Sequence, residues 1–176
     1  MCGRCIAWRP FFDRARAVGR YQGALQEAIH ALKYHRSPLL AAPLGGLLSV
    51  CGGQMLADTS YDAVIPVPLH PSRLRRRGFN QALLLARKAA KAWGVGVLAD
   101  SLRKHSVTIP QSMLSKRERE KSVKGVFVYQ GPDLQGKNVV LIDDVFTTGS
   151  TANECARMLK KHGAHIVDVL TLARTQ

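Results

Sequence analysis

Acidic residues are scarce in this chain of 176 residues, which has 12 Asp and Glu against 26 Lys and Arg. The resulting charge of +14 and a pI near 10.2 favour an anionic ligand or partner. Nucleic acid, a polyphosphate metabolite and an acidic membrane surface all satisfy that charge. Aromatic residues are also few, at 6% of the chain. Their rarity among the clustered arginines argues against a platform that stacks single-stranded bases.

Long apolar runs are missing as well. The N-terminus lacks the apolar core of a secretory signal, and the most apolar stretch, Leu39 to Leu56, is interrupted by Pro43, two glycine pairs and Gln54. We therefore expect no membrane span. Cysteines number four, and Cys51 and Cys155 lie in apolar segments, which suits a reducing compartment better than a disulfide framework. These absences together predict a cytoplasmic protein.

Helical and strand patterns alternate along the chain. Helices are predicted around residues 24–33, over Leu44 to Leu56, and in the segments that stop at Gly94 and Gly163. Strands are predicted at Ala63 to Val67, after Gly94, at Val126 to Tyr129, at Val139 to Ile142 and near the C-terminus. This alternation predicts an α/β domain with a mainly parallel sheet flanked by helices. The polar, charged segment between these strands, Lys104 to Lys124, has the composition of a long mobile loop.

The stretch "VVLIDDVFTTGST", Val139 to Thr151, places two acids between an apolar strand and a loop of small polar residues. Such a loop before a helix can cradle a phosphate with backbone N–H groups, although the same composition is typical of a simple helix cap. Carboxylates repel phosphate, so Asp143 and Asp144 suit another part of a ligand, such as ribose hydroxyls or a hydrated Mg²⁺. A sugar phosphate suits both parts of this motif, because its phosphate can bind the loop and its hydroxyls can bind the acids. The sequence contains neither a Walker loop nor a G-x-G-x-x-G motif.

A second motif, "PVPLHPSRLRRRGFNQ", follows the strand Ala63 to Val67. Arg73, Arg75, Arg76 and Arg77 lie there in a predicted loop bounded by Pro and Gly. Guanidinium groups match phosphate oxygens in pairs, so the loop is a candidate diphosphate or nucleic-acid site, and a solvated basic loop is the alternative. If the sheet brings both motifs to one edge, the ligand carries phosphate, ribose and diphosphate.

The acid pair followed by a T-T-G loop resembles the phosphoribosyltransferase signature. Together with "PVPLHPSRLRRRGFNQ" and the early "YQGALQEAIHALKYH", it resembles the ComF (competence protein F) family over nearly the whole chain. The resemblance implies a type I phosphoribosyltransferase fold with a small hood region. It also implies binding of 5-phosphoribosyl 1-diphosphate with Mg²⁺, and a role in competence and DNA uptake.

The resemblance also assigns residues to roles. Asp143, Asp144 and Arg77 are the candidate catalytic residues, and the two aspartates would also reach Mg²⁺ directly or through water. The predicted mobile lid is Lys104 to Lys124. The candidate ligand-binding residues comprise the phosphate loop, the diphosphate region, one residue of the first helix and two of the lid: Val145, Thr147, Thr148, Gly149, Ser150 and Thr151; Pro68, Leu69, Arg73, Arg75, Asn80 and Gln81; Lys33; and Gln111 and Arg117.

Two departures from the family pattern limit this assignment. Purine-salvage relatives carry an Asp where this chain has Thr147, and a threonine cannot act as a general base at neutral pH. Family members typically begin with two C-x-x-C pairs, whereas this chain shows only Cys2 and Cys5, which cannot complete a four-ligand zinc site. We therefore expect residues 1–20 to be the remnant of a zinc-ribbon module with its linker, no bound zinc, and a phosphoribosyltransferase-like domain over residues 21–176.

Two functions follow as hypotheses. The first is a protein that binds the activated sugar and transfers its phosphoribosyl group to an unknown nucleophile. The alternative is a non-catalytic DNA-uptake protein that engages single-stranded DNA or competence-machinery proteins through its basic surface. Catalytic activity, the acceptor and a homodimeric assembly all stay open at the level of sequence.

Overall fold

A computed structural model of the chain describes residues 10–34, 38–105 and 125–175. Its centre is a five-stranded parallel sheet in the order β1-β7-β6-β2-β3, and β4 and β5 form a separate antiparallel pair. The strands are β1 Arg14–Arg20, β2 Ala63–Pro66, β3 Gly96–Val97, β4 Leu102–Lys104, β5 Phe127–Tyr129, β6 Asn138–Phe146 and β7 Ile166–Arg174. The helices are α1 Gly23–Tyr34, α2 Ala41–Met55, α3 Pro71–Arg77, α4 Gln81–Trp93 and α5 Ser150–Lys161, with a 3₁₀ turn at Pro38–Leu40.

Both faces of the sheet are covered by helices because its central strands are apolar on both sides. On β6, Val139 and Leu141 belong to the core that includes α5, whereas Val140 and Ile142 belong to the core that includes α1, α2 and α4. All four side chains are completely buried. Burial of each such side chain stabilises the fold by roughly 1.5–3 kcal/mol. This two-sided burial explains the continuous apolar run, which is typical of a parallel strand between two helical layers.

The predicted parallel α/β sheet is confirmed, as are the helix stops at Gly94 and Gly163, both of which have positive φ angles. The predicted strand Val126 to Tyr129 corresponds to β5, which pairs with β4 outside the main sheet. The expected hood region stays a prediction. The pair carries Lys104, the first residue of the predicted lid, but residues 106–124 lie outside the described part of the chain.

The first strand changes the predicted division of the chain. Residues 14–20 form β1, which pairs in parallel with β7 at the edge of the main sheet. A boundary at residue 20 therefore cuts through the sheet, and these residues belong with the main domain. Cys2 and Cys5 lie outside the described residues, so the predicted remnant of a zinc-ribbon module stays a prediction.

One helical segment, Pro38–Met55, is long and apolar enough to cross a membrane by length and composition, with a mean hydropathy of 1.2. The core helix of a folded domain meets the same criterion. Leu44 and Leu48 of this segment are buried against the rest of the domain, and Gly52 approaches Leu170 and Trp93 too closely to admit a Cβ atom. Only 33% of the segment is buried, however, and Val50 is 64% exposed, so one face packs against the domain while the other stays exposed. The predicted cytoplasmic location remains a prediction.

Candidate functional site

A cavity of about 450 Å³ lies at the carboxyl ends of β2, β6 and β7, where ligands bind in open parallel sheets. The chain segments that follow these strands and the N-terminus of α5 form much of its wall. Of the predicted site residues, the cavity is lined by Lys33, Pro68, Leu69, Arg73, Arg77, Gln81, Asp143, Asp144, Val145, Thr147, Gly149, Ser150 and Thr151. The fold therefore brings the acid pair, the phosphate loop and two arginines to one cavity.

The acid pair is held by its own backbone and by a lysine. Asp143 Oδ1 accepts a hydrogen bond from the Asp144 backbone N–H at 2.8 Å. Asp144 is buried, and its Oδ2 lies 2.8 Å from the Lys33 ammonium at the end of α1. This oxygen has no partner that meets hydrogen-bond geometry among the described residues, so the contact with Lys33 is an ion pair rather than a well-aligned hydrogen bond.

The charge state of Asp143 depends on its surroundings. Burial, and next the neighbouring negative charge of Asp144, raise the pKa of Asp143 to about 7, while Lys33 opposes the rise. Asp143 therefore changes its charge near neutral pH. Burial lowers the pKa of Lys33, but the contact with Asp144 and the charges of Asp144 and Asp143 together outweigh burial and raise it, so the lysine stays charged.

The phosphate loop combines a helix cap with a cradle. The N–H of Ser150 donates to Thr148 Oγ1 at 3.3 Å, and the Thr148 and Ser150 hydroxyls lie 2.8 Å apart. Thr148 thus supports the start of the helix and does not line the cavity, although the N-cap position itself is Gly149, which offers no side-chain cap. Thr147 is exposed and, with Ser150 and Thr151, lines the cavity beside the first turn of α5, whose N–H groups have no partner within the helix.

Gly149 is required by its surroundings as well as by its backbone. Its φ of +78° lies in the left-handed region, and a Cβ atom there would lie 2.6 Å from Cζ of Phe146. The Phe146 ring in turn packs edge-on against Phe12, with ring centroids 5.9 Å apart. Glycine at this position therefore allows the loop to pack closely against the aromatic ring of Phe146.

The predicted loop of arginines is wrong in its local structure, because these residues form the short helix α3. His70 caps its start, where Nδ1 accepts from the Ser72 N–H at 3.2 Å, and Gly78 ends it with a φ of +86°. Arg73 and Arg77 are four residues apart and share the helix face that lines the cavity. Arg75 is exposed and lies outside the cavity lining, so the helix divides the cluster into two faces.

Arg77 is positioned by two neighbours. Its Nη1 donates to Oε1 of the buried Gln81, and its guanidinium lies 5.6 Å from the centre of the Tyr34 ring. Burial lowers the pKa of Arg77 despite the opposing charge of Asp144.

Asn80, also predicted to bind ligand, instead caps α4: its Oδ1 accepts from the Ala82 N–H at 3.0 Å, and its Nδ2 donates to the Val67 carbonyl at 3.1 Å. Asn80 supports the cavity wall from behind.

Several residues that line the cavity are not among the predicted ligand-binding residues. Lys104 reaches the cavity from β4, and its pKa is lowered by burial and then by the charge of Arg73. Its position beside Arg73 depends on the docking of the small antiparallel pair. The other lining residues that the motifs did not identify are Tyr21, Tyr34, Val67, His70, Phe146, Ala152, Thr171 and Thr175. Gln111 and Arg117 lie outside the described residues and keep their predicted roles only as predictions.

The described residues contain no group of three or more His, Cys, Asp and Glu side chains arranged to hold a metal. Two adjacent carboxylates nevertheless fit Mg²⁺, which takes oxygen ligands, keeps several waters and commonly shares its coordination with a phosphate-bearing ligand. The buried Asp144 Oδ2, which has a charged neighbour but no aligned hydrogen bond, is the best oxygen for this purpose. The residues fit Mg²⁺ bound jointly with a ligand better than Mg²⁺ bound alone.

Comparison with known proteins agrees with this geometry. Residues 80–176 match the phosphoribosyl transferase domain model. The fold is therefore that of the type I phosphoribosyltransferases. A solved purine phosphoribosyltransferase from Pyrococcus horikoshii aligns over 72% of this chain and 70% of its own, with 20% identity and a TM-score of 0.48.

Curated relatives identify the group within that class. The DNA utilization protein YhgH of Shigella flexneri is 36% identical over 177 residues, which cover 99% of this chain and 78% of that protein. Competence protein F of Haemophilus influenzae is 31% identical over 178 residues, which cover 98% of this chain and 78% of that protein. The chain belongs to the ComF family of phosphoribosyltransferase-like proteins, as its sequence motifs predicted.

Proposed function

We propose that the cavity binds 5-phosphoribosyl 1-diphosphate together with Mg²⁺. The supporting observation is the presence in one cavity of about 450 Å³ of an acid pair, a helix N-terminus with three hydroxyl residues, and two arginines four residues apart. Asp143 and Asp144 would accept hydrogen bonds from the ribose hydroxyls and share the Mg²⁺. Thr147, Ser150 and Thr151 would hold the 5′-phosphate with the first N–H groups of α5.

The same arrangement suits displacement at C1 of the ribose. In that step the bond between C1 and the diphosphate oxygen breaks, the electron pair leaves with the diphosphate, and the acceptor forms a new bond to C1. Arg73, Arg77 and Lys104 line the cavity and would stabilise the charge of the leaving diphosphate. Thr147 cannot act as the general base at neutral pH, so a proton lost by the acceptor has to pass to another group or to solvent.

Isothermal titration with 5-phosphoribosyl 1-diphosphate and Mg²⁺ tests the proposal. We expect wild type to bind, and the double variant Asp143→Asn with Asp144→Asn to lose about 100-fold or more in affinity, because charge-assisted hydrogen bonds are weakened at two sites. Asp100→Asn with Asp133→Asn is the matched control, since it changes net charge equally at two exposed positions. Absence of binding by wild type, or equal affinity in both double variants, would contradict the proposal.

A second candidate function is binding of single-stranded DNA, consistent with the competence and DNA-utilization names of the relatives. The observation that favours it is the outward face of α3, where Arg75 and Arg76 are exposed and do not line the cavity. Binding isotherms for an oligonucleotide at several salt concentrations test this function. A steep loss of affinity with salt, reduced in Arg75→Gln with Arg76→Gln, is expected for phosphate contacts, whereas a flat dependence would contradict them.

A further inference from the structure

Lys33 stands in an unusual place for a cation, directly on the acid pair of the cavity. Its ammonium lies 2.8 Å from Asp144 Oδ2, and the two side chains are 18% and 5% exposed. The helix that carries it is fixed from below, because Ile29 and Leu32 of α1 are completely buried. The lysine side chain alone, with its four-carbon stem, can change position without moving the helix.

The environment of Asp144 explains why a cation is there. A carboxylate this deeply buried is stable only beside a positive charge or several hydrogen-bond donors. Lys33 supplies that charge in the structure. A divalent cation bound directly to the same oxygen would lie within a few ångströms of the ammonium, and the two positive charges would repel each other strongly.

We propose that Lys33 is a built-in counter-ion of Asp144 that competes with the divalent cation for the carboxylate. The inference rests on the proposed function, since it concerns how that ligand and its metal enter the site. Lys33 pairs with the carboxylate and orients it in the ligand-free protein, and its side chain withdraws when a metal-loaded ligand arrives. The site therefore resists free divalent cations and admits one that is accompanied by the further contacts of a sugar phosphate.

Lysine suits this role better than arginine would. An ammonium is a compact, strongly hydrated charge on a flexible stem, whereas a guanidinium grips a carboxylate with a planar fork and two hydrogen bonds. The contact in the structure involves one nitrogen and one oxygen without aligned hydrogen-bond geometry. Such a contact is replaced more readily than a paired one.

Titration with Mn²⁺ alone tests the competition, with loss of the free-ion electron paramagnetic resonance signal as the measure of binding. We expect Lys33→Met to bind Mn²⁺ about tenfold more tightly than wild type, because a unit charge beside the divalent ion is gone. Lys33→Arg should bind Mn²⁺ no more tightly than wild type. The control Lys91→Met removes an exposed lysine of α4 and should leave the Mn²⁺ affinity unchanged.

Thermal unfolding of the same proteins separates this role from a structural one. Lys33→Met should unfold at a lower temperature than wild type without metal, and Mn²⁺ should recover most of the difference by binding the folded state. A stability loss that Mn²⁺ does not recover would assign Lys33 to the fold and overturn the proposal. Should Lys33→Met fail to fold, Lys33→Gln serves in the same comparison.

The affinities also decide the matter. Equal Mn²⁺ affinity in wild type and Lys33→Met would overturn the proposal, because it would mean that the cation contacts Asp144 only through water and does not compete with Lys33. Absence of detectable Mn²⁺ binding by Lys33→Met would overturn it as well. The activated sugar is absent from these titrations. Failure of the sugar to bind would therefore contradict the proposed function without changing the result for Lys33.

Discussion

Two buried carboxylates in this domain, Asp168 and Asp144, each face a cation from another element, but their surroundings differ. Asp168, near the amino end of β7, is completely buried. Its Oδ2 accepts from Arg14 Nε at 3.0 Å and Nη2 at 2.7 Å, and from the Tyr61 hydroxyl. Asp144, near the carboxyl end of β6, opens onto the cavity and has a single lysine contact at 2.8 Å.

The number and rigidity of the donors separate the two sites. Arg14 is itself held by Asp58 at 2.6 Å and by the Thr59 hydroxyl at 2.7 Å, so its fork cannot leave Asp168 without breaking a network. Burial, and next the hydrogen bond to Asp168, raise the pKa of Tyr61, which keeps that hydroxyl a donor. A buried acid with several fixed donors stabilises the fold, whereas one with a single flexible partner beside a cavity is available to a ligand.

The largest expected effect is on Asp168, whose three donors all reach Oδ2, while the buried Oδ1 has no hydrogen-bond partner among the described residues. Asp168→Asn should lower the free energy of unfolding by about 3–5 kcal/mol, because it leaves the Arg14 charge without its buried partner. Urea unfolding measures the change. The control Asp58→Asn should cost far less, since the Asp58 side chain is 70% exposed and its ion pair with Arg14 is screened by solvent. Similar losses in both variants would show that the buried contact contributes nothing special.

Asp144→Asn should affect ligand binding more than stability, in contrast to Asp168→Asn. We expect its free energy of unfolding to stay within about 1 kcal/mol of wild type, because repulsion between the two aspartates is lost and Lys33 can turn toward solvent. Affinity for the activated sugar should fall by about tenfold or more, which calorimetry measures. A stability loss as large as that of Asp168→Asn would remove the distinction between the two carboxylates.

The two faces of α3 extend the comparison to arginines. Arg77→Met should weaken binding of the activated sugar by about tenfold, because this guanidinium lines the cavity and is oriented by Gln81 and Tyr34. Arg75→Met should change it by less than about twofold, since the side chain is exposed away from the cavity and its charge is screened. Equal effects from both variants would mean that general positive charge, rather than cavity geometry, attracts the ligand.

The smallest expected effect is the pH dependence contributed by Asp143, whose pKa is raised to about 7. The carboxyl group has a pKa of about 4 in the unfolded chain. At a pH between about 4 and 7, the folded protein therefore holds a proton that the unfolded chain has released, and stability falls as the pH rises through that range. Wild type should therefore lose about 1 kcal/mol more than Asp143→Asn between pH 6 and 8. Chemical unfolding at a series of pH values measures the difference, and parallel curves would contradict it.

Affinity for Mg²⁺ with the activated sugar should change in the reverse direction, because the ionised form of Asp143 is the one that accepts hydrogen bonds and reaches the cation. Calorimetry at pH 6 and pH 8 measures this change. Opposite trends of stability and affinity over the same pH range would mark Asp143 as a ligand-binding acid rather than a structural one.

Local patterns predicted the parts of the site that follow one another along the chain. The run Val139 to Ile142, the acid pair and the loop to Thr151 form one continuous strand, turn and helix, so their relative positions depend on near neighbours. The local structure of the arginine cluster was harder to predict from the sequence, because the Pro and Gly residues on either side of it are typical of a loop. They instead act as the first residue and the cap of a short helix.

The amino-acid sequence by itself determined the parallel α/β architecture, the family and the order of acid pair, phosphate loop and helix, since periodicity and capping act over a few residues. Only the tertiary structure decided that Lys33 meets Asp144, that Arg73 and Arg77 rather than Arg75 line the cavity, and that Lys104 joins them. These contacts join residues far apart in the chain. They depend on how helices dock on the sheet, and local spacing carries no information about that docking.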